Sequence, residues 1–209
     1  MNIAIVVIGR NEGERLHHCF QSLSSEADVI VYVDSGSTDE SVMLAKEMNI
    51  EVIELDTATP FSAGRARNEG FAYLLEKYPG IQYVQFIDGD CTIALGWLHQ
   101  AALFLSENNN YAAVLGHLHE KYPEASAYNR LCAMEWKSTA GDLDNYGALG
   151  GISMMRASVF KQLNGFNCNV IAGEDSELGV RMALNGYKVT KLDHPMAVHD
   201  ANMHYFSQW

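Results

Sequence analysis

Ile3-Ala4-Ile5-Val6-Val7-Ile8, followed at once by Gly9-Arg10-Asn11-Glu12, is the stretch on which the fold turns. An unbroken aliphatic run of strand length, with no polar alternation, suits a strand covered on both faces, as in a parallel sheet. A second such run is Val29-Ile30-Val31-Tyr32-Val33, and between the two Leu16, Cys19, Phe20 and Leu23 fall at helical spacing within 12–23. The opening therefore reads strand, helix, strand. The unit repeats, with a helix predicted over 37–48, a strand over 50–55, a helix over 62–77 and a strand over 83–87. Ser37-x-x-Glu40 predicts a capping box at the start of the first of these helices. Such alternation predicts an α/β fold, Rossmann-like, with a mostly parallel central sheet and helices on both faces. Ligands in such sheets sit beyond the carboxyl ends of the strands, where the crossover direction reverses.

Further along the pattern is less regular. Helices are predicted over 96–107, 125–138, 157–163 and 175–185, strands over 112–117 and 188–192, with an unassigned segment over 147–155. There is no internal repeat and no linker, so residues 1–209 read as a single domain. The terminal Phe206-Ser207-Gln208-Trp209 places large apolar side chains last, which leaves room for a natural C-terminal continuation. With 14 basic and 26 acidic residues the formal charge is −12, which argues against nucleic acid or an anionic lipid surface as a bulk electrostatic partner. Cys19, Cys91, Cys132 and Cys168 are widely spaced and read as reduced thiols. No run approaches the ~18 to 20 apolar residues of a membrane span, and residues 1–8 lack a basic leader or cleavage site. The expectation is a cytoplasmic protein, with peripheral attachment to the inner face of the membrane left open.

Chemistry is concentrated where strands end. Val84-Gln85-Phe86-Ile87 delivers Asp88-Gly89-Asp90, two carboxylates separated by one small residue. Hard oxygen ligands at that spacing suit Mg²⁺ or Mn²⁺ together with phosphate oxygens. Taken alone the triplet reads as a turn with solvated acids; its place after an apolar strand, with Gly in the middle, brings the metal-binding reading level with that one. In Gly173-Glu174-Asp175-Ser176-Glu177, adjacent acids open a helix; one carboxylate could serve as a general base, or both could simply cap and complement the helix dipole. His117-x-His119 needs no metal to explain it, since alternate strand residues share a face by pleating. Trp97, Tyr128 and Trp136 offer ring faces for stacking, although helical aromatics more often fill a core. His194 and His204 read as ordinary surface or core residues.

The ordered series Asn11-Glu12, Asp34-Ser35-Gly36-Ser37, Gly64-Arg65-Ala66-Arg67-Asn68, Asp88-Gly89-Asp90, Gly150-Gly151, Asn164-Gly165-Phe166, Glu174-Asp175-x-Glu177-Leu178-x-x-Arg181, Asn185-Gly186 and His199 resembles the family-2 glycosyltransferases of the GT-A fold, across nearly the whole chain. That resemblance implies an inverting, non-processive transfer of one sugar from a nucleotide-diphospho-sugar donor to the hydroxyl of a glycan, lipid or small-molecule acceptor. It implies Asp175 as catalytic base, and a Mn or Mg ion held by Asp90 with Asp88 and His199. Asp34 would contact a uracil, guanine or thymine ring N–H, while Gly9 and Glu12 would line the nucleoside pocket. Arg65 and Arg67 would stabilise the departing diphosphate, and Asp88 would reach the donor ribose or the metal. Where many relatives carry an aromatic residue this chain has Arg10, and the Gln-x-x-Arg-Trp element of processive synthases is missing.

Two other classes fit part of the pattern. Asp88-Gly89-Asp90-Cys91-Thr92 also matches the signature of haloacid-dehalogenase-like phosphatases, with Asp88 as nucleophile and Asp90 as acid/base; that signature usually follows the first strand, not the fourth. A non-catalytic nucleotide-sugar-binding module would keep the same pocket without turnover. A sugar nucleotidyltransferase is disfavoured, because no Gly-rich basic loop follows the first strand.

Overall fold

The computed structural model describes residues 2–24, 26–143, 149–201 and 203. In chain order the elements are β1 (Ile3–Gly9), α1 (Glu14–Leu23), β2 (Val29–Asp34), α2 (Ser41–Glu47), β3 (Glu51–Glu54), α3 (Ala63–Lys77), β4 (Tyr83–Asp88), β5 (Cys91–Ile93), α4 (Trp97–Glu107), β6 (Tyr111–Glu120), α5 (Ala127–Glu135), β7 (Gly141–Asp142), β8 (Ser153–Arg156), α6 (Ala157–Gln162), α7 (Glu174–Leu184) and β9 (Lys188–His199). One sheet runs in the order β3-β2-β1-β4-β8-β6-β9-β5, with β7 pairing β9. The three longest ladders, β1 with β2, β1 with β4 and β6 with β9, are parallel, as is β2 with β3.

The aliphatic runs sit where their composition requires. Ala4, Ile5, Val6 and Val7 are all solvent-free, and their alternate side chains feed two cores. Ile5 and Val7 pack with Leu16, Phe20 and Leu98 on one face, while Ala4 and Val6 pack with Leu74, Phe160 and Met182 on the other. Helices α1, α2 and α4 thus cover the first face, and α3, α6 and α7 the second. The expected layering is borne out.

Two local expectations are corrected. The capping box of Ser37 and Glu40 does not form: α2 begins only at Ser41, and Ser37 Oγ instead accepts from the Asn11 amide at 2.9 Å. A long-range partner outcompeted the local one. The sheet is mostly parallel, as expected; β8 runs antiparallel between β4 and β6, and β5 and β7 run antiparallel to β9. The segment predicted to be a strand over 188–192 continues to His199 despite Pro195, pairing with β6 on one side and with β5 beyond residue 196 on the other. Of the sequence readings, His204, the terminal aromatic residues and residues 147–148 lie outside the described residues.

Candidate active site

Parallel register places the strand ends side by side. Gly9 is opposite Asp34 and Ile8 is opposite Asp88, so the polar segments after β1, β2 and β4 emerge along one sheet edge. β1 lies between β2 and β4, so the crossover direction reverses there, as a ligand site in an open sheet requires. Gly9 is tight: a Cβ would stand 3.0 Å from Glu12 Cγ and 3.4 Å from the Tyr32 ring. Asp34 is buried, and its carboxylate accepts from the Tyr32 hydroxyl at 2.9 Å, the Gly36 amide at 2.9 Å and the Ser37 amide at 2.8 Å. It shapes the turn that walls the edge.

Asp88-Gly89-Asp90 bends out of β4 over Glu12 and Leu16. A Cβ on Gly89 would meet Leu16 Cδ1 at 3.0 Å and Glu12 Cγ at 3.1 Å, which explains the small residue between the two acids. Glu12 is held up to about 7 by burial and then by the Asp90 carboxylate, against the pull of Arg15, its ion-pair partner at 2.8 Å. Acids crowded until one retains its proton form a site that gains from a cation.

Asp90 Oδ2 lies 3.1 Å from His199 Nε2, and His199 Nδ1 lies 3.0 Å from Glu120 Oε2. Burial works against the charged imidazole, but the Asp90 and Glu120 carboxylates outweigh it and raise His199 to about 9. Reciprocally, burial favours a protonated Asp90, and the hydrogen bond and charge of His199 overcome that, so the carboxyl is held below its ordinary range. Among the described residues, donor atoms of Asp90, Cys91 and His199 come within 4.8 Å of one another. Burial pushes the Cys91 thiol well up, which leaves it a poor partner for a hard cation. A carboxylate and an imidazole backed on its far nitrogen by a second carboxylate fit Mg²⁺ or Mn²⁺.

Arg67 lies in the floor of the site with only 3% of its side chain exposed. Its guanidinium donates to Asp88 Oδ1 at 2.9 Å and to Glu174 Oε1 at 2.8 Å, tying the end of β4 to the first turn of α7. Gly151 passes so close to the Arg67 guanidinium that a side chain there would push it aside. The next residue of α7, Asp175, accepts from the Gly150 amide at 2.8 Å. Asp88, Asp175 and His199 line one cavity of about 370 Å³, with Gly150, Gly151 and Trp136 among its walls.

The structure thus brings Asp88, Asp90, Glu12, Arg67, Asp175 and His199 to one region at the carboxyl edge of the sheet. Arg65 is directed elsewhere: it pairs with Glu69 at 2.7 Å and donates to the carbonyls of Asp56 and Thr59. Arg10 lies over the Phe61 ring at 5.6 Å. Trp97 is core, its indole N–H donating to Gln85. His117 pairs with Asp193 and its ring lies beside that of His119, outside the Asp90 group. Glu120 and Glu174 carry site geometry that sequence reasoning did not assign to them. Their partners are about 80 and 107 positions away in the chain, and no local pattern signals such pairs.

Comparison with known proteins bears on the same region. The sequence signature described as Glycosyl transferase family 2 matches residues 4–163, and one described as N-terminal domain of galactosyltransferase matches residues 132–207. The chain is 24% identical over 216 residues to the O-antigen chain rhamnosyltransferase RfbN of Salmonella typhimurium, covering 97% of this chain and 67% of that protein. To the O-antigen chain rhamnosyltransferase WbaN of Salmonella anatum it is 26% identical over 196 residues, covering 88% and 60%. Among solved structures, S. aureus TarS 1-349 in complex with UDP-GlcNAc superposes with a TM-score of 0.76 at 20% identity, over 98% of this chain and 60% of that one. Mannosyltransferase PcManGT from Pyrobaculum calidifontis, in complex with GDP-Man and Mn2+, gives 0.71 at 17%, over 100% and 59%. The fold is the GT-A fold of these enzymes. This chain spans about two thirds or less of the length of these relatives.

Proposed function

The chain belongs to glycosyl transferase family 2, and from that premise we propose that it moves one sugar from a nucleotide-diphosphate donor to an acceptor hydroxyl, inverting the anomeric carbon. The observation that carries this reading is the convergence of Asp88, Asp175 and His199, from the ends of β4 and β9 and the start of α7, on one cavity. A single carboxylate at the attacking side and a charge-stabilising set at the leaving side are what a one-step displacement needs. Because the curated relatives are named rhamnosyltransferases, a rhamnosyl nucleotide is the first donor to assay.

In the proposed reaction the acceptor hydroxyl gives its proton to Asp175 as its oxygen bonds to the anomeric carbon. The bond from that carbon to the diphosphate breaks, and the nucleoside diphosphate leaves on the opposite side. Asp175 is aimed by the Gly150 amide, which donates to Oδ2; Oδ1 would take the proton of the incoming hydroxyl. Arg67 acts indirectly, holding Asp88 and the first turn of α7 in one frame. Asp34 and Gly9 wall the nucleoside side, and Glu12 lies between them and Asp90. Asp90 and His199 would hold a divalent cation, which supplies positive charge to the departing diphosphate.

Asp175→Asn is the decisive substitution. Transfer should fall by roughly 10²- to 10⁴-fold, while calorimetric titration shows nucleoside diphosphate binding unchanged. Undiminished donor consumption would remove Asp175 from its role. A wild-type protein that binds nucleotide sugars yet consumes none in the presence of acceptor glycans would be a binding module. Metal-dependent phosphate-ester hydrolysis abolished by Asp88→Asn would instead restore the phosphatase reading.

A further inference from the structure

The Glu120 side chain is completely buried, a position a carboxylate tolerates only when its oxygens are occupied. Here they are. Oε1 accepts from the Asn129 side-chain amide at 3.0 Å and from the Tyr122 backbone amide at 3.2 Å, and Oε2 faces His199 Nδ1 at 3.0 Å. Asn129 is in turn fixed on the first turn of α5, where the N-cap Ser126 hydroxyl bonds both its backbone and its side chain. Glu120 and His199 are direct register partners in the parallel ladder of β6 and β9. On its other side the imidazole meets the Trp136 ring at 4.5 Å and 88°.

We propose that Glu120 is the positioning residue of the cation-binding edge: it holds His199 in one ring orientation and in the tautomer protonated at Nδ1, keeping Nε2 for a divalent cation beside Asp90. The inference rests on the cation assignment made above and adds to it the residue that prepares the ligand. An ionised carboxylate offers no proton, so Nδ1 must be the donor toward Oε2. Nε2, which points at Asp90, is then the nitrogen that remains for a metal. Asn129 and Tyr122 make the arrangement rigid, because both deliver N–H groups to Oε1 and leave only Oε2 for the imidazole.

That wiring yields an isosteric test. In Glu120→Gln the Asn129 and Tyr122 donors retain the amide oxygen, so the amide NH₂ faces His199 Nδ1. Nδ1 must then accept, and the proton moves to Nε2. Binding of Mn²⁺ alone, followed by the electron-paramagnetic-resonance signal of free manganese, should weaken roughly ten- to a hundredfold. The circular dichroism spectrum should stay that of the wild type. In a His199→Ala background the same substitution should cause no further loss. Wild-type-like Mn²⁺ affinity in Glu120→Gln, or an equal loss in the His199→Ala background, would overturn the proposal and leave the cation site standing. If His199→Ala binds Mn²⁺ as the wild type does, or the wild type binds none, the cation assignment fails and Glu120 loses this role with it. Should Glu120→Gln not fold, imidazole ¹⁵N spectra of the Mg²⁺-loaded wild type decide: a proton on His199 Nδ1 supports the proposal, and one on Nε2 refutes it.

Discussion

A guanidinium between two acids, with almost no water around it, is a strut before it is a ligand. Arg67→Met would leave Asp88 and Glu174 without their cation, and such removal of one member of a buried pair costs about 3 kcal/mol. A lowered urea midpoint with an unchanged slope would register it; a midpoint equal to the wild type would deny Arg67 that role. The Arg65-Ala66-Arg67 pattern signals cations near the carboxyl edge but not their partners. Both were expected on the diphosphate, whereas Arg65 is spent on Glu69 and nearby carbonyls and Arg67 on two acids. His199 sets a pH dependence of definite sign. Its folded value of about 9 lies above the ordinary 6.5, so the stability it lends the cation-free protein is complete below about pH 6.5 and lost as pH rises through 9. A metal competes for the same nitrogen, so Mg²⁺ affinity should rise by up to about tenfold per pH unit between neutrality and pH 9. Calorimetry at stepped pH measures this, and a flat profile would place the ion elsewhere.

Helix α6 contributes little length but one decisive side chain. Phe160 is packed against Phe71 at 4.7 Å, Phe86 at 4.9 Å and Phe166 at 5.2 Å between ring centroids, locking α3, β4 and the segment before α7 together. Phe160→Ala should lower unfolding free energy by about 3–5 kcal/mol, read from chemical denaturation, with a fall below 1 kcal/mol pointing to a core that refills. Elements were legible in the sequence when local chemistry agreed with packing. The helix predicted over 62–77 forms as α3, and its N-cap Ser62 accepts from the Arg65 amide at 3.1 Å. Ser37 offered the same local chemistry for α2, yet Asn11 lies within reach across the sheet edge and claims its hydroxyl. β8 was unreadable for a different reason: four residues, one of them Arg156, carry too little periodicity to reveal a strand direction.

At the scale of the molecule, the half of the cleft at the carboxyl ends of β1, β2 and β4 followed from the strand-helix alternation, with β1 and β2 written into the sequence as unbroken aliphatic runs. The other half depends on pairings between distant strands, Glu120 with His199 above all, and no window of sequence contains them. The proposed donor site predicts that a thermal-shift screen of UDP, GDP, TDP and CMP with and without Mn²⁺ singles out one nucleoside diphosphate. Stabilisation near 2.7 kcal/mol is expected at about a hundredfold excess over Kd, and a uniform null response would count against nucleotide recognition altogether. None of the described helices is long and apolar enough to cross a membrane. β9 slots between β6 and β5, and it brings His199 to Asp90 in the same act. During synthesis a ribosome would therefore have to release the chain through His199 before the cleft could close. A nascent polypeptide stalled before Lys188 would display its acids at the end of β4 with no imidazole to meet them, so the site is completed only once β9 has emerged.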